Sequence, residues 1–291
     1  MFFNIFGKFL VEGSYITEDD YWQIKFAEDK TRVKLGLIAV SEKLMTEAQA
    51  DKVNRQQMSV DRRFGDIAIE MGFLTETQVK RLLSLQGNPY MQFCQTVTDL
   101  RIMTLQQVER ALVDFQEKNG FIASDIDDIK SGDIDRILPL YLPESADKFT
   151  RDLFEIAVRS ANRLVSSDIC LGKGYITDKY TAQLCACQNM VDGHYALTAI
   201  SGDEKGMLCM AEGFGKEFFD VVNMEALDSV GEFVNIVNGL FATAKSNEGV
   251  EIDLLPPEYH KDNLTIDGGS ICVLPIEVEH EKIDIIYKSG K

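Results

Sequence analysis

The hydrophobic pattern of the first 118 residues returns every 29 residues. An aromatic or leucine followed by a small residue opens each unit: Phe6-Gly7, Leu35-Gly36, Phe64-Gly65 and Phe93-Cys94. Ten residues further on comes a second marker: Ile16-Thr17-Glu18, Met45-Thr46-Glu47, Leu74-Thr75-Glu76 and Met103-Thr104-Leu105. Self-similarity at a fixed period of this length marks stacked supersecondary units. The threonine is a natural N-cap, since its hydroxyl can accept from an otherwise unpaired first-turn amide. Glu18, Glu47 and Glu76 then fall in the first turn, where the helix dipole favours a carboxylate. Val79, Leu82 and Leu83, and later Val108, Ala111, Leu112 and Phe115, recur at helical spacing. The pattern predicts an all-α domain over residues 1–118, four 29-residue units of two short helices each.

The pattern then changes twice. Residues 119–146 carry Asp125, Asp127, Asp128, Asp133 and Asp135 around Gly132, followed by Pro139 and Pro143, and read as an acidic linker. Residues 147–291 read as an α/β (α+β) domain with helices on a β-sheet. A helix is expected over 147–166, then strands over 169–176, 182–190, 195–200 and 207–211. The last two would be joined by a hairpin at Gly202-Asp203-Glu204-Lys205-Gly206. Helices are expected over 215–222 and 224–245, with strands over 251–255, 270–277 and 282–287. Gly172-Lys173-Gly174 reads as a bend, and His194 as part of a turn.

Charge narrows the function classes. The chain has 30 basic and 47 acidic residues, net −17, and the excess is uneven: residues 1–120 hold 15 basic against 17 acidic, residues 121–291 hold 15 against 30. So acidic a second half lacks the Lys/Arg clusters that bind nucleic-acid phosphates or anionic membranes. No run approaches the roughly 18 apolar residues of a membrane span, and the start lacks the features of a signal peptide. A soluble, cytoplasmic protein without membrane insertion is expected. The six cysteines form no CxxC pair; Cys185-x-Cys187 in a strand puts two thiols on one sheet face, either as a zinc-binding pair or as buried free thiols. The second reading is adopted, with no intrinsic metal or cofactor expected. Neither the three histidines nor any glycine-rich loop forms a pattern of nucleophilic or phosphate-binding chemistry.

The helix over 224–245 carries the candidate chemistry. At about 100° per residue, Ala226, Val230, Phe233, Val234, Val237, Leu240, Phe241 and Ala244 form one apolar face. Asp228, Glu232, Asn235 and Gly239 form a narrow strip almost opposite, which by itself fits either a solvated face or a site. The order Asp228-x3-Glu232-x2-Asn235-x3-Gly239, with a helix ending at Asn162, the hairpin at 201–206, the helix from Gly215 and the Leu254-Leu255-Pro256-Pro257-Glu258-Tyr259 segment, resembles the CheX/CheC/FliY family of chemotaxis phosphatases. That resemblance implies an acyl-phosphate phosphatase acting on the phosphoaspartate of a CheY-like response regulator, and a homodimer. It gives Asn235 the role of orienting the attacking water and Glu232 that of pairing with the regulator's lysine. Asp228 and Gly239 would complete the site face, and magnesium would come with the regulator. Family members can carry the motif twice. Here the counterpart is Glu155-x3-Arg159-x2-Asn162, and Arg159 in the glutamate position implies a single active site.

The N-terminal units resemble the MshE N-terminal family of secretion and pilus ATPases, in which 24-residue motifs are joined by five residues; here 34–57 and 63–86 are the two motifs. Some members bind cyclic di-GMP. The resemblance implies a nucleotide site at Lys34, Leu35, Gly36, Gln57, Arg63, Phe64, Gly65 and Gln86, with a helical scaffold or docking module as the alternative. Lys34 stands where the second motif has Arg63, and lysine lacks the planar bidentate geometry of arginine. The combined expectation is a phosphatase with a regulatory or localising module, or alternatively a non-enzymatic adaptor that binds a regulator and cyclic di-GMP.

Overall fold

The computed structural model describes residues 1–28, 31–60, 62–191 and 195–290, so His194 lies outside the described residues. The chain divides into two compact units, Phe2–Asp133 and the part from Ile134 onward. Among the described residues no helix is long and apolar enough to cross a membrane.

The first unit is helical: α1 (Phe2–Glu12), α2 (Glu18–Glu28), α3 (Leu35–Ser41), α4 (Glu47–Gln57), α5 (Phe64–Glu70), α6 (Glu76–Ser84), α7 (Pro89–Asp99), α8 (Leu105–Asn119) and α9 (Ala123–Ser131). The even-numbered helices α2 to α8 each start behind a threonine. Thr46, Thr75 and Thr104 form reciprocal capping boxes with Gln49, Gln78 and Gln107, and Thr17 does the same with Asp20. Such a box satisfies two otherwise orphaned groups at once. Phe6 of α1 packs against Phe93 and Phe115, and Phe9 against Phe115, with ring centroids 5.2–5.6 Å apart in edge-to-face pairs. Each such pair adds about 0.5–1.5 kcal/mol beyond its burial. The glycine of the aromatic–glycine marker has a packing reason at Gly65, where a Cβ would lie 2.8 Å from Val79.

Residues 119–146, expected as a linker, contain α9 and α10 (Ile134–Ile137), followed by a 3-10 turn at Leu138–Leu140. Acidity did not prevent helix formation, because Asp125 accepts from the Ile122 amide at 2.9 Å and so works as a first-turn cap, while Ile126 and Ile129 are buried.

The second unit adds α11 (Lys148–Leu164), α12 (Glu204–Gly215) and α13 (Met224–Asn247) to eight strands: β1 (Ile169–Leu171), β2 (Tyr175–Ala182), β3 (Leu184–Val191), β4 (Tyr195–Gly202), β5 (Asp253–Leu254), β6 (Glu258–His260), β7 (Leu264–Val278) and β8 (Glu281–Ser289). All pair antiparallel in one sheet of order β1-β7-β8-β4-β3-β5, with β2 also along β7 and β6 also along β3. The helices cover one face. The curled sheet keeps a second core on the other, where Cys185, Cys187, Ala199, Ile271, Val273 and Ile286 are buried together.

Four expectations fail here. The single strand over 169–176 is interrupted, since β1 ends at Leu171 and β2 starts at Tyr175. The hairpin at 202–206 and the strand over 207–211 are instead the start of α12: the Asp203 carboxylate caps the Gly206 amide at 2.9 Å, and Met207, Met210 and Ala211 bury one helical face. The helix expected over 215–222 is absent, as α12 ends at Gly215 and α13 begins only behind the Asn223 cap.

Candidate functional site

Helix α13 is positioned by its own burial pattern. Ala226, Val230, Phe233, Val234, Val237 and Phe241 face the core. Leu240, expected among them, is 42% exposed, and Asn238 is buried in its place. The cause is a polar group inside the core, Gln188 of β3, which turns an amide rather than a leucine toward the sheet.

Gln188 is the centre of the site's support. Its Nε2 donates to the Leu255 carbonyl at 2.8 Å and to Asn235 Oδ1 at 2.9 Å, while its Oε1 accepts from Asn238 Nδ2 at 2.8 Å. A backbone carbonyl only accepts, so Leu255 fixes which end of the Gln188 amide faces it, and the other two bonds follow. Asn235 is thereby held with Oδ1 inward, one lone pair engaged. Its Nδ2 makes no hydrogen bond among the described residues.

The strip predicted from the sequence lies along the outer side of α13. Glu232 is exposed and has no hydrogen bond or ion pair among the described residues. Asn235, three residues on, is half-buried. Asp228 is bonded by the Tyr259 hydroxyl at 2.7 Å. Burial first, then that bond and the charges of Asp228 and Glu232, push the Tyr259 phenol up to about 12, so it stays a neutral donor. The Tyr259 ring lies against Gly231, where a Cβ would stand 2.3 Å from it. Gly239 is different: a Cβ there would meet nothing within 4 Å, although glycine inside a helix costs about 1 kcal/mol relative to alanine. Gln188 and Gly231 were missed in the sequence. Each gains meaning only from a contact some 30–70 positions away, and no local pattern marks it.

In the counterpart helix α11, Arg159 donates to Asp135 at 2.6 Å and lies 4.0 Å from Glu155.

In the first unit, all eight residues named for a nucleotide line a single cavity of about 1010 Å³, together with Arg32, Asn54, Met58 and Leu83. Several are engaged: Lys34 Nζ pairs with Asp99 at 3.1 Å, Gln57 donates to the Arg62 carbonyl at 2.9 Å and Gln86 to the Val33 carbonyl at 3.1 Å. Arg32 and Arg63 are exposed and make no hydrogen bond or ion pair among the described residues. Two exposed guanidinium groups beside apolar Leu35 and Phe64 suit an anionic ligand with flat rings.

No protein-family model and no curated protein matches the chain. Among solved structures, the second half is similar to a CheX chemotaxis protein from Vibrio vulnificus, at 20% identity over 50% of this chain and 100% of that one, TM-score 0.44. It is similar to CheX from Desulfovibrio desulfuricans at 12% identity over 50% and 100%, TM-score 0.43. A CheX–CheY complex with BeF3 and magnesium from Borrelia burgdorferi matches at 16% identity over 50% and 99%, TM-score 0.41.

Proposed function

We propose that the unit from Ile134 onward is a phosphatase for the phosphoaspartate of a CheY-like response regulator, and that the helical unit localises or regulates it. The observation that carries this reading is the pairing of a carboxylate without a partner among the described residues, Glu232, with an amide at Asn235 whose orientation Gln188 sets from behind. Hydrolysis of an acyl phosphate is a displacement at phosphorus: water attacks, the bond to the aspartyl oxygen breaks, and carboxylate and inorganic phosphate leave. Catalysis of such a step is largely positioning and charge stabilisation. Asn235 offers two Nδ2 hydrogens and one free Oδ1 lone pair to hold the water in line. Glu232 offers the charge that meets the regulator's lysine, and the regulator brings its own magnesium. The acidity of this half favours a partner with a basic active-site residue over an anionic one.

The test is phosphate release from receiver domains phosphorylated with acetyl phosphate. Wild type accelerates release from its cognate regulator, and Asn235→Ala or Glu232→Ala each lose about 100-fold, the scale of a misplaced reacting group. Both variants acting at the wild-type rate would remove the assignment. Light scattering on the same protein checks the homodimer that the family resemblance implies.

A second reading, a non-enzymatic adaptor responsive to cyclic di-GMP, is favoured by the cavity that gathers all eight motif residues. Calorimetry of cyclic di-GMP into the full chain, with Arg63→Ala as control, tests it. Regulator binding without any acceleration of phosphate loss would favour the adaptor over the phosphatase.

A further inference from the structure

The face of β3 turned away from the helices carries a second, separate cluster. Antiparallel pairing sets Cys185 opposite His260 and Cys187 opposite Glu258, with Ala186 and Tyr259 between them. Residues directly opposite in a ladder share a face, and alternate residues along a strand return to it. Cys185, Cys187, Glu258 and His260 therefore point to one side, while Tyr259 points to the other, toward α13. The donor atoms of Cys187, Glu258 and His260 all lie within 4.8 Å of one another, and Cys185, two residues back along β3 and opposite His260, stands on the same face beside them. Both cysteines are buried against the second core, whereas Glu258 is exposed and His260 half-exposed. The set has a sulfur floor in an apolar wall and a nitrogen and oxygen rim open to entry.

We propose that Cys185, Cys187, Glu258 and His260 bind one zinc ion. Two thiolates, an imidazole and a carboxylate make a four-donor set of the softness and number that tetrahedral zinc takes. The fold gives a reason for such a clamp. The segment from Leu255 to His260 contains Pro256 and Pro257, which have no amide to donate, and β6 is three residues long. Few backbone bonds hold it to β3, yet its Tyr259 packs on Gly231 and bonds Asp228. A metal on the back of β6 fixes the strand whose front touches the candidate site. The clamp stands on the ladder and donor set alone, independent of what α13 acts on.

The experiment is a cobalt titration of the full chain after chelator treatment under reducing conditions. The expected result is one equivalent of Co2+ bound with thiolate-to-cobalt charge-transfer absorption and tetrahedral d–d bands, displaced by one equivalent of Zn2+. Cys187→Ser removes the charge-transfer intensity of one thiolate. His260→Ala and Glu258→Ala, both at the exposed rim and so compatible with folding, weaken binding by at least ~100-fold, since even an outer-shell partner of a metal site is worth about 10–100-fold. His280→Ala leaves binding unchanged. Absence of the charge-transfer band at stoichiometric Co2+, or His260→Ala binding as tightly as wild type, overturns the proposal.

Discussion

Helices α11 and α13 carry the same polar spacing and bring it to opposite states. On α11, Arg159 is held between Asp135 and Glu155. Burial raises the Glu155 carboxyl, with the Arg159 charge opposing the shift, and the strip's cation is engaged within the chain. Asn162 has no hydrogen bond among the described residues. On α13 the order is reversed: Glu232 has no partner among the described residues, and Asn235 is gripped from the core side. A site that orients a water needs both conditions, a fixed amide and an uncommitted charge. The comparison therefore separates two helices of similar polar spacing, and only α13 meets both conditions of the proposed site.

The largest effect expected is from making α13 resemble α11. Glu232→Arg places a cation where the regulator's lysine would approach, and acceleration of phosphate release should fall by ~100-fold or more. Arg159→Glu, the reverse change on α11, should leave the rate untouched. Its cost is in stability, at most about 1 kcal/mol for an exposed ion pair, read as a shift in urea midpoint. Equal losses of rate from the two variants would erase the distinction between the helices.

Next in size is the removal of the grip. Gln188→Leu leaves the fully buried Asn238 amide without its acceptor and frees Asn235 to rotate. An orphaned buried polar group costs about 1–3 kcal/mol, and urea unfolding should show a loss of roughly 2 kcal/mol. Phosphate release should slow in kcat while KM holds, because the docking surface is unchanged and only the amide's orientation is lost. Asn162→Ala on α11 should do neither.

How much of this was readable in the sequence follows the range of each interaction. The helix starts behind Thr46, Thr75 and Thr104 were legible, because a cap and its first turn are contiguous. So was the strip on α13, since helical spacing is local. The start of α12 was misread because Gly-Asp-Glu-Lys-Gly satisfies both a hairpin and a capped helix, and only the burial of Met207 and Met210 decides between them. Gln188 was illegible: a glutamine in a strand gives no sign that it is buried until Asn235, Asn238 and Leu255 are brought to it. The same holds for His260 and Glu258, some 70 positions from the cysteines they face. The sequence showed two thiols on one face but could not show what stood across the ladder.

A smaller effect, of opposite pH sense to ordinary acid loss, belongs to Tyr259. Its phenol is raised from 10 to about 12 in the folded state, by burial first and by Asp228 and Glu232 after. The fold therefore favours the protonated form. That contribution is complete below about pH 10 and lost as pH rises through 12. Tyr259→Phe should cost about 1 kcal/mol at pH 8, the net worth of one hydrogen bond. The difference between wild type and variant in urea midpoint should shrink toward pH 12. Tyr180 is also raised, so only the difference between the two proteins isolates Tyr259. A gap that does not change with pH would mean the Asp228 contact contributes nothing to holding β6 against α13.

Gly239 gives the smallest effect and separates stability from docking. Apart from its own neighbours and the helix backbone, nothing among the described residues comes within 4 Å of where its Cβ would be, and its backbone is helical, so the fold has no need of glycine there. Gly239→Ala should raise stability by about 0.5–1 kcal/mol, the ordinary helix preference for alanine. If α13's outer side receives a regulator closely, the same methyl should raise KM for the phosphorylated regulator several-fold with little change in kcat, the signature of lost uniform binding. α11 offers no equivalent position, so a variant that becomes more stable and keeps its KM would end the docking strip at Asn235. A variant that becomes more stable and binds worse would extend it a full turn beyond the amide, past the point where the α11 strip ends.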